Sequence, residues 1–511
     1  MPGLENWTGY NSTFMKQFLL CVLLAATLSA ATPKKPKLVL VVVVDQCRYD
    51  YLTRYRTDFK GGFDRLLKNG ASFTSAHDDF FPSLTAVAHA VLLTGAMPSA
   101  TGIIGNTWFN RETGKSTSAV SDDSVKVVGA GGGASASPHL LLAPTVGDEL
   151  KAATGGRALV IGISQKDRSA ILPAGAKANA AFWFDESTGT FVTSTYYMQA
   201  LPEWVQAYNN THPADEFLGT TWQGHLIPRD SKPKYKSIPL GPFGNRLTEG
   251  IAERALEAEQ LGKHDDPDLL SVSLSATDYV GHDYGPDSPE EKEALMETDR
   301  DLDHLLQAVD RQVGLANTLV VLTSDHGVAP RNNGGQLPLK VIGETVQSAL
   351  KAKYGDGKWV SGNWDPLVFL NHELIAEKKL SLAEVNATAA DALRKLTHIA
   401  RVYTREQLAD PKTKLDETGR LFKNGFNPER AADLVFIPEP NWIFFDGNYT
   451  HSTTYDYDTH VPLIFMGTGI RAGSYKTAAR SNDISATLAE ILGIPKPSAS
   501  VGRVLEEMFA K

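Results

Sequence analysis

The sequence has few cysteines, no clustered basic residues and no long apolar run. Its 511 residues include two cysteines, and Cys21 lies in an N-terminal apolar segment, so Cys47 would be the single thiol once that segment is removed. A chain with one thiol forms no internal disulfide, and its stability must come from its core and loops. The formal charge of −9, without a basic block, argues against nucleic acid as the main partner.

The N-terminal apolar segment is too short to predict a stable membrane span. Residues 15–31, MKQFLLCVLLAATLSAA, contain a lysine, a short apolar core and small residues at the end, which is typical of a secretory signal. Met15 is the better start, because residues 1–14 are polar. We therefore predict that residues 1–31 are an N-terminal extension with a signal peptide, and that the protein is periplasmic or secreted.

The remaining chain alternates between two patterns, and its composition, 42% hydrophobic and 21% charged, is ordinary for a globular protein. Apolar, β-branched runs that are typical of buried parallel strands occur at residues 37–46, 157–164, 267–277 and 318–324 and after residue 460. Helical patterns occur between them, at residues 62–69, 85–93, 145–153, 247–261, 289–313 and 483–492. The alternation predicts an α/β fold with a doubly wound, mostly parallel central sheet flanked by helices.

Two stretches do not follow this alternation, roughly residues 170–245 and roughly residues 330–445. The second has a helical pattern of its own at residues 380–396. We interpret both as inserted cap regions beside the candidate site that is described below, within one catalytic domain of residues 32–511.

Polar side chains lie at the ends of the predicted strands. They are Asp45, Lys166, Arg168, Asp278, Asp325 and His326, with His460 at the opening of the last strand. Open α/β sheets bind their ligands at the carboxyl ends of their strands. Aspartate and histidine without cysteine are ligands that zinc uses in catalytic sites. Each residue alone is more commonly a turn or cap residue, so the shared sheet edge is what favours a metal site.

Asp278 and His282 are four residues apart, and a helix or a turn can bring both side chains to one ion. Thr85 follows Pro82 and Ser83 at the predicted start of a helix. There its hydroxyl faces free backbone N–H groups and the positive end of the helix dipole, which suit an anion. On local grounds, a capping role is the commoner one for such a threonine.

Seven motifs occur in order along the chain: VVVVDQ with Asp45, FFPSLTAVAHAVLLTG with Thr85, GIIGNTW with Asn106, SQKDRSAI with Lys166 and Arg168, ATDYVGH with Asp278 and His282, TSDHG with Asp325 and His326, and THVPLIFMG with His460. In these motifs the chain resembles the alkaline phosphatase superfamily. Within it, the chain is similar to the phosphate-irrepressible, secreted, monomeric type with a threonine nucleophile, which is related to nucleotide pyrophosphatase/phosphodiesterases.

The resemblance implies two zinc ions. Asp278, His282 and His460 would be the ligands of one ion, and Asp45, Thr85, Asp325 and His326 those of the other. The resemblance also implies that Thr85, with its hydroxyl pKa lowered by metal coordination, attacks phosphorus to form a phosphothreonine. His89, four residues after Thr85, is interpreted as a positioning or packing residue rather than as a base.

Three residues bear on the substrate. Lys166 and Arg168 can both reach the oxygens of a dianionic phosphoryl group, although a solvated Lys-Asp-Arg loop is the plainer alternative. Asn106 would add an amide donor. The Cys/Ser-x-Pro-x-Arg motif of sulfatases does not occur around Thr85. We therefore predict a broad-specificity phosphomonoesterase for small-molecule phosphate monoesters. The alternatives are a phosphodiesterase of the nucleotide pyrophosphatase type and a catalytically idle phosphate- or metal-binding protein.

Overall fold

The strand Leu38–Val44 lies in the centre of the main sheet. The computed structural model describes residues 35–129, 135–330, 335–444, 447 and 449–510. In it, Leu38–Val44 is completely buried and pairs in parallel with Asp268–Leu274 on one side and Thr318–Thr323 on the other. A strand that is apolar on both faces is stabilised when both faces are covered. The predicted N-terminal extension, residues 1–31, lies outside the described residues.

The main sheet is mixed and has ten strands among the described residues. Their spatial order is Gly473–Tyr475, Ala71–Phe73, Leu463–Gly467, Thr318–Thr323, Leu38–Val44, Asp268–Leu274, Val160–Ser164, Ala180–Asp185, Thr190–Ser194 and Val127–Val128. The five strands from Thr318–Thr323 to Ala180–Asp185 are parallel, whereas Leu463–Gly467 runs antiparallel beside them. The predicted α/β fold with a mostly parallel sheet is confirmed, and one strand on each flank, Leu463–Gly467 and Thr190–Ser194, runs antiparallel to both of its neighbours.

Helices cover both faces of this sheet. Alternate residues of Leu38–Val44 point to opposite sides, so Leu40 and Val42 pack on one side with helices Phe243–Ala258 and Pro289–Gln312. Val41 and Val43 pack on the other side with helices Thr85–Thr94, Val146–Ala153 and Asp483–Leu492. The further helices are Tyr49–Arg54, Gly62–Asn69, Pro98–Thr101, Asp167–Ala174, Glu203–Asn210, Ala276–Tyr284, Leu339–Tyr354, His372–Glu377, Leu382–Arg394, Arg405–Ala409, Glu417–Asn424 and Asp456–Thr459.

The two predicted insertions differ in structure. Part of residues 170–245 belongs to the main sheet, as strands Ala180–Asp185 and Thr190–Ser194, and the rest contains a hairpin of Thr221–Trp222 and His225–Leu226. The described part of the second insertion, residues 335–444, contains an antiparallel sheet of its own, in the order Val360–Trp364, Leu367–Leu370, Leu434–Pro438 and Ile399–Thr404. Its core includes Leu350 and Leu393, from the helices Leu339–Tyr354 and Leu382–Arg394.

Short strand pairs complete the fold. They are Thr107–Asn110 with Lys115–Ser118, Ala76–His77 with Ala479–Arg480, and Gly335–Gln336 with Trp442–Ile443. The chain from Lys35 onward forms one compact unit. Within the part of the chain that the structure describes, no helix has both the length and the apolar character needed to cross a membrane.

Candidate active site

The carboxyl ends of two neighbouring parallel strands bring the first two aspartates together. Asp45 follows Leu38–Val44 directly, and its backbone N–H donates to the Leu274 carbonyl at 3.0 Å. The Thr277 hydroxyl donates to the Asp45 carbonyl and so ties the two strand ends together. Asp278 lies in the helix Ala276–Tyr284, which begins just beyond that strand. The shared sheet edge therefore carries buried carboxylates from neighbouring strands, as the strand pattern predicted.

The first group consists of Asp45, Asp325 and His326, all with no exposed surface. His326 Nδ1 lies 3.0 Å from the Gly327 carbonyl, and it must donate because a carbonyl oxygen only accepts. This leaves Nε2 as the acceptor, 3.5 Å from Asp325 Oδ2, 3.8 Å from Asp45 Oδ1 and 3.4 Å from Thr85 Oγ1. Burial lowers the pKa of His326 and so favours the neutral ring that binds metals.

The second group consists of Asp278, His282 and His451. His282 Nδ1 contacts the Tyr449 carbonyl at 2.9 Å, and His451 Nδ1 contacts the Ser83 carbonyl at 2.7 Å. Both rings thus present Nε2 to Asp278 Oδ1, at 3.3 and 3.8 Å. A histidine that donates one N–H to a carbonyl and turns the other nitrogen inward is typical of metal ligands. Burial lowers the pKa of His451 well below its usual value, which favours the neutral ring.

The two groups lie next to each other. The rings of His326 and His451 stack at 3.7 Å between centroids. Lys166 Nζ lies 2.7 Å from Asp45 Oδ2 and 2.5 Å from Asp278 Oδ2, so one buried ammonium contacts both groups. Burial alone would lower the pKa of Lys166, but the carboxylates of Asp278 and Asp45 outweigh it and raise that pKa. Lys166 therefore carries a positive charge at the centre of the site.

The donor set fits two divalent cations. Oδ1 of Asp45 and Oδ2 of Asp325 are buried and have no hydrogen-bond partner among the described residues. Burial, with the nearby charges of Asp278 and Asp325, raises the pKa of Asp45 well above its usual value. Three buried carboxylates, those of Asp45, Asp278 and Asp325, thus lie near one buried ammonium. Such buried oxygens next to inward-facing imidazole nitrogens suit cations that take nitrogen and oxygen ligands.

Thr85 is the first residue of the buried helix Thr85–Thr94, and 2% of its surface is exposed. Asn106 Oδ1 accepts from the Ala86 backbone N–H at 2.8 Å, so this side chain caps the helix beside Thr85. Its Nδ2 is left as a donor. His89 contacts the Thr85 carbonyl through Nδ1 at 2.8 Å and Ser273 Oγ through Nε2 at 2.9 Å. These contacts fit the positioning role that we predicted for His89.

Arg168 lies two residues after Lys166, in the first turn of the helix Asp167–Ala174, and its side chain is 26% exposed. Its Nε is buried without a hydrogen-bond partner among the described residues.

The second insertion contributes a residue near Arg168, at the turn that contains Asp365. Burial raises the pKa of Asp365 to about 6, while the charges of His282 and Arg168 oppose the rise. A residue of the second insertion therefore lies within electrostatic range of the site.

Comparison with known proteins agrees with this geometry. The family profile "Type I phosphodiesterase / nucleotide pyrophosphatase" matches residues 39–461. The chain is 34% identical to "Alkaline phosphatase PafA" of Elizabethkingia meningoseptica, over 97% of this chain and 99% of that protein. The chain belongs to the alkaline phosphatase superfamily. It is also 35% identical to a protein named "Calcium-transporting ATPase" of Myroides odoratus, over 96% of this chain and 97% of that one.

Solved structures of superfamily members extend the comparison. The wild-type PafA crystal structure matches with a TM-score of 0.86 at 34% identity, over 93% of this chain and 99% of that one. A PafA variant with substitutions at a threonine, an asparagine, a lysine and an arginine matches with a TM-score of 0.88 at 33% identity and the same coverage. Its substituted threonine and asparagine are 21 residues apart, as Thr85 and Asn106 are, and its substituted lysine and arginine are two apart, as Lys166 and Arg168 are. The separation between the asparagine and the lysine is 62 residues there and 60 here.

We predicted that His460 lies with Asp278 and His282, but the structure places His451 there instead. His460 groups with His77 and Asp456, and its ring stacks between Tyr49 and His77 at 4.2 and 4.3 Å. Its Nε2 contacts the Thr74 carbonyl at 3.2 Å. The prediction rested on the family resemblance and on the position of His460 at the opening of a strand. No strand end marks His451, so the pattern that located the other residues could not locate it.

The two histidines are expected to respond differently to substitution. His451→Ala should lower the metal bound to the purified protein by about one of two equivalents and reduce activity by at least about 100-fold, because it removes an inward-facing nitrogen. His460→Ala should keep both equivalents. Elemental analysis after gel filtration measures the difference. Loss of an equivalent in His460→Ala, with two retained in His451→Ala, would restore the original assignment.

Proposed function

We propose that the protein is a broad-specificity phosphomonoesterase that hydrolyses phosphate monoesters through a phosphothreonine intermediate at a two-zinc site. The observation that carries this proposal is the position of Thr85 Oγ1, at the start of a buried helix and 3.4 Å from His326 Nε2 within the carboxylate and histidine groups. The relative named as an alkaline phosphatase, which aligns over nearly the full length, supports the same activity.

The residues divide into two ligand sets. Asp278, His282 and His451 would hold one ion, and Asp45, Asp325, His326 and the Thr85 hydroxyl the other. Imidazole and carboxylate donors without thiolate are a set that zinc accepts in catalytic sites. When bound, a pair of such ions lowers the pKa of a coordinated hydroxyl and stabilises charge on the attacking and leaving oxygens.

Thr85 supplies the nucleophile. Its Oγ1 loses its proton and forms a bond to phosphorus while the bond from phosphorus to the ester oxygen breaks. The departing oxygen takes up one proton and leaves as the alcohol. Water then cleaves the phosphothreonine, which releases phosphate and restores the hydroxyl. His89 is not assigned as a base, because its ring nitrogens contact the Thr85 carbonyl and Ser273 Oγ. It holds the first turn of the helix, and with it the nucleophile, in place.

Three polar side chains recognise the phosphoryl group. A monoester presents two negative charges on three non-bridging oxygens, whereas a diester presents one charge on two. Lys166 and Arg168 supply two positive charges, and the Asn106 amide adds a donor beside Thr85. Charge-assisted hydrogen bonds strengthen with the charge on the acceptor, so this set favours the dianion.

A phosphodiesterase of the nucleotide pyrophosphatase kind is the second candidate, and the matching family profile favours it. Such an enzyme binds a monoanion and needs space for a second substituent. The paired cations Lys166 and Arg168 favour the monoesterase. We also propose a monomeric protein in the periplasm or outside the cell, from the signal pattern of residues 15–31 and the phosphatase type that the motifs resemble.

Metal removal tests the proposal against a protein that only binds phosphate. Treatment with a chelator should abolish hydrolysis of a nitrophenyl phosphate, because the ligand sets lose the cations that activate Thr85, and added zinc should restore it. The restored protein should release many equivalents of phosphate. Release that stops at one equivalent would identify a binding protein, and activity that survives complete metal removal would contradict the two-metal site.

A further inference from the structure

Gln46 contacts one carboxylate in each of the two groups of candidate metal ligands. It follows Asp45 directly and has no exposed surface. Its backbone N–H donates to Asp325 Oδ1 at 3.1 Å, and its side-chain Nε2 donates to Asp278 Oδ1 at 2.8 Å. Asp325 belongs to the first group and Asp278 to the second. One residue therefore provides two donors that reach both groups.

The backbone of Gln46 is left-handed, with a φ of 62°. This region is uncommon for residues with a side chain, and such residues cluster at functional sites where the surroundings hold them. Rotation about the bond between N and Cα sets the direction of the side chain relative to the residue's own N–H. The left-handed φ therefore directs the backbone N–H and the side-chain Nε2 of Gln46 to two different carboxylates.

Both aspartates are oriented by these bonds. Asp325 Oδ1 accepts from the N–H groups of Gln46 and His326. Asp325 Oδ2 lies 3.3 Å from His89 Nδ1 and 3.5 Å from His326 Nε2. Asp278 accepts from Gln46 on Oδ1 and from Lys166 on Oδ2. Each carboxylate is thus held by a protein donor in addition to any cation that it binds.

A glycine provides the space for the Gln46 side chain. Gly281 lies inside the helix Ala276–Tyr284, and a Cβ at this position would overlap with Oε1 of Gln46. Glycine in a helix interior costs about 1 kcal/mol relative to alanine. Gly281 lies about one turn after Asp278, on the helix that also carries His282. A glycine at this position is consistent with a need for space for the Gln46 side chain.

We propose that Gln46 is a positioning residue that fixes Asp278 and Asp325 for binding of the two ions. The inference rests on the proposed two-metal site and deepens it. Hydrogen bonds that orient a metal ligand typically contribute 10- to 100-fold in affinity, so we expect about that loss when the side-chain donor is removed.

The test measures zinc retained by the purified, metal-loaded protein against increasing chelator. Gln46→Gly keeps the backbone N–H to Asp325 and suits the left-handed backbone, but it removes the donor to Asp278. We expect one of the two ions to be released at a chelator concentration about 10- to 100-fold lower than in the wild type. Gln46→Glu, which directs a carboxylate oxygen at Asp278, should lose that ion more readily still.

Gly281→Ala tests the same inference with Gln46 intact. It displaces the glutamine side chain without straining the helix, and we expect it to weaken the same ion. Asn386→Leu is the matched control, because it removes a buried amide in the inserted region, where Asn386 Nδ2 donates to Glu406 Oε1 at 2.9 Å. It should release zinc as the wild type does.

The outcomes distinguish an error in the role of Gln46 from an error in the proposed two-metal site. If the wild type binds two zinc ions, but Gln46→Gly and Gly281→Ala release them at the wild-type chelator concentration, the role of Gln46 is wrong and the two-metal site stands. If the wild type itself does not bind two ions, the proposed function fails. Equal weakening in Asn386→Leu would also overturn the inference, because the effect would then be a general loss of stability.

Discussion

Thr85→Ala is expected to lower the hydrolysis of phosphate monoesters by on the order of 10⁴-fold or more, because it removes the atom that, in the proposed mechanism, forms the covalent bond to phosphorus. Thr85→Ser should retain most of the activity, since its hydroxyl can occupy the same place at the start of the helix. Steady-state kinetics with a nitrophenyl phosphate measures both effects. Thr94→Ala is the matched control, since that hydroxyl lies at the other end of the same helix and donates to the Ala90 carbonyl at 2.6 Å.

The same variants test for the intermediate itself. Acid quenching during turnover, followed by mass spectrometry, should detect a phosphorylated peptide that contains Thr85 in the wild type and in Thr85→Ser. The Thr85→Ala protein should carry no phosphate. A phosphorylated Thr85→Ala protein would mean that another residue is the nucleophile. Ser83 is the nearest hydroxyl in sequence, but it is buried and donates to the Thr453 carbonyl at 3.0 Å.

Combined substitution of Lys166 and Arg168 by alanine is expected to act mainly on monoesters. Removing two positive charges costs most where the phosphoryl group carries the greater charge. We therefore expect the loss of kcat/KM on a nitrophenyl phosphate to exceed the loss on a methyl nitrophenyl phosphate by about 10²- to 10³-fold. Both rates are measured on one preparation of the variant.

The comparison between substrates controls for indirect effects. Lys166 also contacts Asp45 and Asp278, so its removal changes the electrostatics of both metal groups. Such a change lowers the rate on monoester and diester alike, and the ratio of the two losses cancels it. Arg168→Ala alone leaves the buried ammonium in place and should give a smaller shift in the same direction. Equal losses on the two substrates would contradict the role given to both cations.

The sheet could be predicted because its strands are apolar on both faces. Runs such as Leu38–Val44 admit few environments other than the centre of a covered sheet, and the structure buries that strand completely. Once parallel strands were predicted, the polar residues at their ends had to meet at one edge. Asp45, Asp325 and His326 meet there for this reason, and Asp278 follows the neighbouring strand.

The remaining site residues depend on how the connecting segments return to the sheet. The periodicity of apolar and polar residues in the sequence does not encode these paths. His451 reaches the site from a loop, whereas His460, at the opening of a strand, stacks with Tyr49 and His77 beside it. Gln46 directly follows Asp45, yet only its left-handed φ and its two bonds show that it contacts both groups. The turn at Asp365 similarly depends on the packing of the inserted sheet.

The ratio of kcat/KM for a nitrophenyl phosphate to that for a methyl nitrophenyl phosphate, measured on the zinc-loaded wild type, tests the central claim most directly. The two substrates share a leaving group and differ in the charge of the phosphoryl group. If Lys166, Arg168 and Asn106 bind a dianion as proposed, the ratio should be well above one, on the order of 10² or more. A ratio below one would contradict it and identify a phosphodiesterase.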